Sequence, residues 1–495
     1  MLDESTYLKS DAAALAAMIK NKEVTAEDVF AAFKKRLEKV NPVVNAVVRT
    51  RFDKAETEAW PKKGLFAGVP FVTKDASQAV EGELLTAGSY LLNSRAPRDA
   101  YMTAAFRKAG LRITGQSNTP EFGLKNITEP RRGGVTRNPH DTSFSAGGSS
   151  GGAAAAVAAG IVPAAGAGDG GGSIRIPASF TGIFGLKPTR GRTPVGPGSG
   201  RKWQGAAVDF AVSRTVRDSA LLLKEVQSYQ MEAAFQTTLI DKSAFDLIGR
   251  PFNHKLKIAF STVSPVGTPV SEEAVSAVKE AALWLERAGH EVEEQAPELN
   301  GVSLMEQYYL MNSGEMAAVI QQLEEAFGRE IADEELELES WMLKEAGKNV
   351  SAASYSRSLQ SWDAASAVVH NFHKKYDIYL TPAAAWEAPK AGELTPDKER
   401  ENTYREAMKS GRDSQQLIYD MFLPSLVYTP FTQSANLTGQ PAVSMPLGVT
   451  KSGMPLGVQA SAAKGEEILL LRLAAILENT SLWKQQGPVT PDIFR

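Results

Sequence analysis

The sequence predicts an α/β fold: a sheet covered by helices on both faces, with a helical excursion in the C-terminal half. Three observations carry this expectation. Short β-branched apolar runs alternate with amphipathic stretches, as at 100–109 followed by 112–114, and at 257–263, 271–288 and 291–293. The chain has 495 residues, 43% of them hydrophobic and 22% charged, which is enough for one large domain spanning 1–495. Between 303 and 372 charge density rises and helical periodicity takes over, before an apolar strand resumes at 377–382.

In chain order, two amphipathic helices are expected between 11 and 41. The second is capped by Thr25, with Asp28 in its first turn and a stop at Asn41-Pro42. Residues 44–48 read as a strand, and so do 68–72, which deliver Thr73, Lys74 and Asp75 at their end. Helix 271–288 places Val275, Val278, Ala282 and Leu285 on one face before Gly289. The excursion at 303–372 is expected to border a binding pocket through Tyr308, Tyr309 and Met311, together with the loop from Phe431 to Asn436.

The totals narrow the function. A net charge of −3 gives no electrostatic reason for nucleic acid or an anionic membrane surface as partner. With no cysteine, disulfides, cysteine-ligated zinc, iron–sulfur clusters and a thiol nucleophile are excluded, and a reducing cytoplasm is the expected location. The start, MLDESTYLKS, is acidic where a secretory signal would be basic and then apolar.

The sharpest composition shift is AGGSSGGAAAAVAAGIVPAAGAGDGGGS (146–173). Its alanine bias marks tight backbone packing more than a linker. Gly166 to Gly171 formally satisfies G-x-G-x-x-G, but Pro177 interrupts the expected phosphate-binding helix and no acid stands near 191 to hold a ribose. A packing role suits Ser150, which precedes the helical run 151–159 and is expected to cap it. Ser173 differs, because Gly170, Gly171 and Gly172 directly precede it and leave bare backbone N–H groups beside one hydroxyl, the composition of an oxyanion hole.

A serine nucleophile needs a base. The five histidines, His140, His254, His290, His370 and His373, stand in no recognisable triad motif. A lysine serves only when neutral, and Lys74 and Lys187 are the two embedded in apolar sequence. For each, a core-edge lysine whose ammonium reaches water is the plainer reading.

GGSSGG (147–152) followed by GDGGGSIRIPASFTGIFGLKPTRGR (168–192) resembles the amidase signature family, with further likeness at AGVPFVTKD (67–75), GQSNTPEFG (115–123), TRNP (136–139), FTQSANLTGQPAVSMPLG (431–448) and GMPLGVQ (453–459). The intervals from Lys74 to Ser149 and from Ser149 to Ser173 also match. The resemblance implies a large mixed, twisted sheet and a Ser–Ser–Lys triad: Ser173 as nucleophile, Ser149 as bridge behind a cis Gly148–Ser149 peptide, and Lys74 rather than Lys187 as base. It further implies an oxyanion hole from the backbone N–H groups of Gly170, Gly171, Gly172 and Ser173, with Asp169 and Arg175 in support. Many members carry a side chain within the run before the nucleophile, where this chain has three glycines. Asp75 is expected to point away from Lys74, whose basicity it would otherwise raise.

What the resemblance implies is hydrolysis of small amides with no cofactor and no metal, in the branch of general amidases and cyclic-dimer hydrolases, with a homodimer left open. Two alternatives stand beside it: the glutaminase subunit of a tRNA-dependent amidotransferase, against which Ile176 argues, and a hydrolase acting mainly on esters or carbamates.

Overall fold

The computed structural model describes residues 2–485 and 487–491. Eleven strands are present among them: β1 (Val47–Thr50), β2 (Pro70–Lys74), β3 (Arg112–Ser117), β4 (Ala164–Asp169), β5 (Phe184–Lys187), β6 (Val208–Ser213), β7 (Lys257–Phe260), β8 (Glu291–Glu294), β9 (Ile378–Pro382), β10 (Ala442–Val449) and β11 (Pro455–Ala462). Eight of them form a mixed sheet in the order β4-β6-β5-β10-β11-β9-β7-β8. Pairing is antiparallel from β4 to β9 and parallel among β9, β7 and β8. The parallel part needs helical crossovers, and Glu272–Arg287 supplies the one between β7 and β8.

The strands around Lys74 make a separate three-stranded sheet, β1-β3-β2. One side chain, Gln78, stitches it to the large sheet. Its Oε1 accepts the Lys74 backbone N–H at 3.0 Å, while its Nε2 donates to the carbonyls of Ala167 on β4 and Phe210 on β6, each at 3.0 Å. The end of β2 is therefore held against the end of β4, which is where Asp169 and the glycine run begin.

The alanine-rich stretch becomes a fully buried helix, Gly151–Ala158, in which small side chains let backbones approach. Gly152 shows how closely. A methyl group there would lie 2.3 Å from Asn118 N and 2.6 Å from Ala46 O, both backbone atoms that cannot yield.

The excursion comprises helices Gly301–Phe327, Leu338–Gly347 and Ala352–His373. Two helices between β9 and β10, Lys398–Lys409 and Ser414–Tyr428, join it; Trp341, Met342, Ile418 and Phe422 belong to its apolar core. No helix among the described residues is long and apolar enough to cross a membrane.

Local expectations fail at two places near the N-terminus. Glu4–Lys9 is a helix of its own, ahead of Ala12–Lys20 and Ala26–Val44. The third helix does carry the Thr25–Asp28 capping box, but it runs through Pro42 and stops at Asn45, in left-handed conformation at φ 49°. Asn41 then turns its Oδ1 onto the N–H groups of Ala46 and Val47, so the strand starts at Val47 and not at Val44.

Gly152→Ala is expected to destabilise the protein by about 1–3 kcal/mol, because the methyl overpacks against rigid backbone. A lower urea midpoint checks this, and a midpoint equal to the wild type contradicts the packing described.

Candidate active site

The end of β2 presents Lys74, and the turn before helix Gly151–Ala158 presents Ser149, so that Lys74 Nζ and Ser149 Oγ lie 2.7 Å apart. Both side chains are buried, and the Gly148–Ser149 peptide is cis. Burial first, and the Lys202 ammonium second, push the Lys74 amine down to about 7, against the pull of Asp209 and Asp169. Asp75 does turn away: its carboxylate accepts the Thr86 N–H at 3.0 Å and the Thr86 hydroxyl, and pairs with Arg49.

Lys187 is equally buried and is also pushed down to about 7, by burial and then by the Arg175 charge. Its Nζ, however, donates to the Pro188 carbonyl at 2.9 Å and is absent from the cavity that Lys74 and Ser149 line. Location separates the two lysines; basicity does not.

Ser173 stands at the end of the glycine run, just before helix Arg175–Thr181, and lines the same cavity as Lys74 and Ser149. Among the described residues no hydrogen bond joins its hydroxyl to Ser149. The preceding loop is held from three directions. Asn436 Nδ2 donates to the Asp169 carbonyl (2.9 Å), Tyr308 OH to the Gly170 carbonyl (3.0 Å) and Thr432 Oγ1 to the Gly171 carbonyl (2.7 Å). With these oxygens engaged, the peptide planes of the loop are fixed. The N–H groups of Gly171 and Ser173 have no acceptor among the described residues, and Gly170 and Gly171 line the cavity.

Gly172 departs from the expected donor set. Its N–H donates to Asp169 Oδ1 at 2.7 Å and is therefore engaged within the loop. Gly172 remains obligatory for another reason. It adopts φ +128°, and a Cβ there would lie 2.2 Å from Thr432 Oγ1.

Asp169 and Arg175 form a fully buried ion pair, with Arg175 Nη2 2.9 Å from Asp169 Oδ1 and Nε 3.0 Å from Oδ2. Burial opposes ionisation of this carboxyl, but the Arg175 charge and hydrogen bonds outweigh it and hold the group down at about 2. Arg175 continues to the Thr432 carbonyl (2.8 Å), Gln459 Oε1 (2.5 Å) and Asn436 Oδ1 (2.6 Å).

Ser150 does not cap its helix. At φ −97°, ψ 38° its backbone lacks the extended geometry that returns an N-cap side chain to the first turn. Its hydroxyl instead bonds both the carbonyl (3.1 Å) and the N–H (3.2 Å) of Gly168 on β4, while Thr128 Oγ1 accepts the Gly151 N–H at 3.2 Å. Pro177, which reads as a break in the sequence, lies within helix Arg175–Thr181, in the first turn where its missing N–H costs nothing.

The cavity measures about 510 Å³ and is walled by apolar side chains that include Phe122, Leu124, Met305, Tyr309, Met316 and Phe422. Tyr308 and Tyr309 line it, as does Gln433, which opens helix Gln433–Thr438 where the sequence reads as a loop. Met311 does not: it is packed beside Trp362, Leu304 and Ala206. No histidine reaches the cavity. Thr128, Thr432 and Asn436 carry structural duties that no local pattern announces; their partners lie 23, 261 and 267 residues away in sequence.

Residues 28–471 match the family model described as Amidase. A lipoamidase of Enterococcus faecalis is 36% identical over 99% of this chain and 66% of its own length, so the chain spans just under two thirds of that relative. A 6-aminohexanoate-cyclic-dimer hydrolase of Pseudomonas sp. (strain NK87) is 34% identical over 97% of each chain. A solved structure of 6-aminohexanoate cyclic dimer hydrolase superposes with a TM-score of 0.89 at 31% identity, covering 100% of both chains. The chain belongs to the amidase signature family, a family of hydrolases that act on amides.

Proposed function

We propose that this enzyme cleaves the C–N bond of linear or cyclic amides through an acyl-enzyme on Ser173, with Ser149 and Lys74 as a proton relay. The observation that carries the reading is the 2.7 Å contact between Ser149 Oγ and a buried lysine amine whose pKa is depressed to about 7. An amine of that kind is free to accept a proton near neutral pH.

Ser173 Oγ attacks the substrate carbonyl carbon. Its proton passes to Ser149 Oγ as Ser149 gives its own to Lys74 Nζ. The oxygen that becomes negative is met by the N–H groups of Gly170, Gly171 and Ser173, on a loop that Tyr308, Thr432 and Asn436 hold rigid before substrate arrives. The relay then reverses: Lys74 returns its proton to Ser149, Ser149 protonates the leaving nitrogen, the C–N bond breaks, and an amine or ammonia departs. Water repeats the sequence on the ester and releases the acid. The Ser173–Ser149 contact belongs to the substrate-bound state, since catalytic hydrogen bonds tighten when substrate enters.

Ser173→Ala is expected to abolish turnover, and mass spectrometry of the wild type trapped with a slowly hydrolysed amide is expected to place the acyl group on Ser173. Acylation at any other residue contradicts the mechanism. Lys74→Ala is expected to lower kcat/KM by about 10²–10⁴, with partial recovery at alkaline pH, where free hydroxide increases.

The sign of the pH dependence follows from which form of Lys74 works. The neutral amine is the base, so kcat/KM falls as pH drops through about 7, with the slope of a single proton. A profile flat from about pH 5 to 8 is incompatible with a lysine base in this state.

A further inference from the structure

Two residues that line the cavity carry buried acceptors without a partner. Asn126 Nδ2 donates to the Ser425 carbonyl (3.0 Å) and Thr429 Oγ1 (3.0 Å), leaving a buried Oδ1 without a partner. Gln433 does the same: Nε2 donates to the Thr429 carbonyl at 2.8 Å, and Oε1 is buried and unmet. Both residues line the cavity. Unmet buried acceptors are uncommon.

Most of the charges on the wall are paired. Lys125 is 3.0 Å from both Glu337 and Glu339, Lys202 is paired with Asp209, and Asp169 is paired with Arg175. Arg201 lays its guanidinium over the Phe235 ring, at 5.7 Å from the centroid, and Phe235 is not a cavity residue. Glu315 has no cationic partner among the described residues. Its Oε1 accepts Gln204 Nε2 at 2.9 Å and the Tyr355 hydroxyl, both neutral donors that fix the carboxylate without cancelling its charge.

Glu315 sits on the helix face that also carries Met305, Tyr308, Asn312 and Val319 into the cavity. Tyr308 touches the oxyanion loop. At 1.5 Å per residue, Glu315 stands about 10 Å farther along the helix. A cation carried about five to seven methylenes from the reacting carbonyl spans such a distance.

We propose that Glu315 is a specificity-determining residue, and that the cavity selects amides whose non-reacting arm ends in an ammonium group. This rests on the amidase mechanism above and names its substrate class. The apolar wall covers the methylene arm. A half-buried carboxylate held in place by hydrogen bonds discriminates between a cation and a neutral isostere because only the cation brings it an opposite charge.

The test compares para-nitroanilides of ω-aminohexanoic, heptanoic and adipic acids, which differ only in the charge at the far end. The ammonium arm is expected to give the highest kcat/KM, mainly through KM. Glu315→Gln is expected to lower the ratio of ammonium to neutral arm about tenfold, and Glu315→Lys to turn the preference toward the adipic arm. A wild-type preference for the heptanoic anilide, or a ratio that Glu315→Gln does not move, overturns the proposal. Heptanoic anilide cleavage that survives Ser173→Ala would instead sink the mechanism on which it rests. If no anilide is cleaved, calorimetry with hexylammonium and hexanol decides: tighter ammonium binding that weakens in Glu315→Gln supports the proposal, and equal affinities overturn it.

Discussion

A free amine held in the interior, touching one hydroxyl and no carboxylate, is the condition on which the site depends. Two unit charges about 4 Å apart at an effective dielectric of about 20 interact by roughly 4 kcal/mol, equivalent to about three pKa units. One available carboxylate beside Lys74 would therefore restore an ordinary ammonium. The fold removes each nearby candidate. Asp75 is turned onto Thr86 and Arg49, Asp209 is taken by Lys202 and Ser77, and Asp169 is taken by Arg175. Lys202 contributes twice, neutralising Asp209 and placing its own positive charge near Lys74.

The Asp169–Arg175 pair has a second duty. A buried ion pair is a weak source of net stability, since desolvating both charges consumes most of their attraction. Its value here is positional. The carboxylate fixes the N–H groups of Gly172 and Ile174, while the guanidinium gathers Thr432, Asn436 and Gln459 from the far end of the chain. The glycine run has no side chains with which to hold itself, so its shape comes from these distant partners and from Tyr308. The helix that forms the cavity wall thus touches the loop facing the reaction centre.

The alternation of helices and strands was legible because burial on one face imposes a period wherever an element is long enough. Lys74, Ser149 and Ser173 were singled out through the family resemblance of the motifs around them, and the structure brings Lys74 and Ser149 into contact with Ser173 on the same wall. What escaped was whatever tertiary contact decides. Ser150 has the composition of a cap, yet β4 takes its hydroxyl and Thr128 does the capping. Pro42 reads as a stop, but the helix ends only where Asn45 can turn left-handed. Gly172 N–H reads as one of four equivalent donors until Asp169 claims it. Strands β1 to β3 read as part of one layer, and only Gln78 shows how their separate sheet meets the other. Met311 and Tyr308 are both large residues on one helix, and three positions of helical rotation put one into the core and the other at the loop.

Lys187 supplies an internal comparison for the proposed base. It shares with Lys74 complete burial, a pKa near 7 and apolar flanks, and it lies on β5 of the sheet that carries Asp169. Depressed basicity is therefore a general consequence of burying an amine without a counter-charge and does not by itself mark a catalytic group. The difference is the partner. A carbonyl such as that of Pro188 accepts a hydrogen bond and has no proton to give, so an amine bound to it has nothing to relay. A hydroxyl both accepts and donates, and the Ser149 hydroxyl opens onto a cavity large enough for substrate. In the proposed mechanism the proton path is thus specified by which oxygen each buried amine meets, and the glycine-rich turn that places Ser149 against Lys74 matters to it as directly as the lysine does.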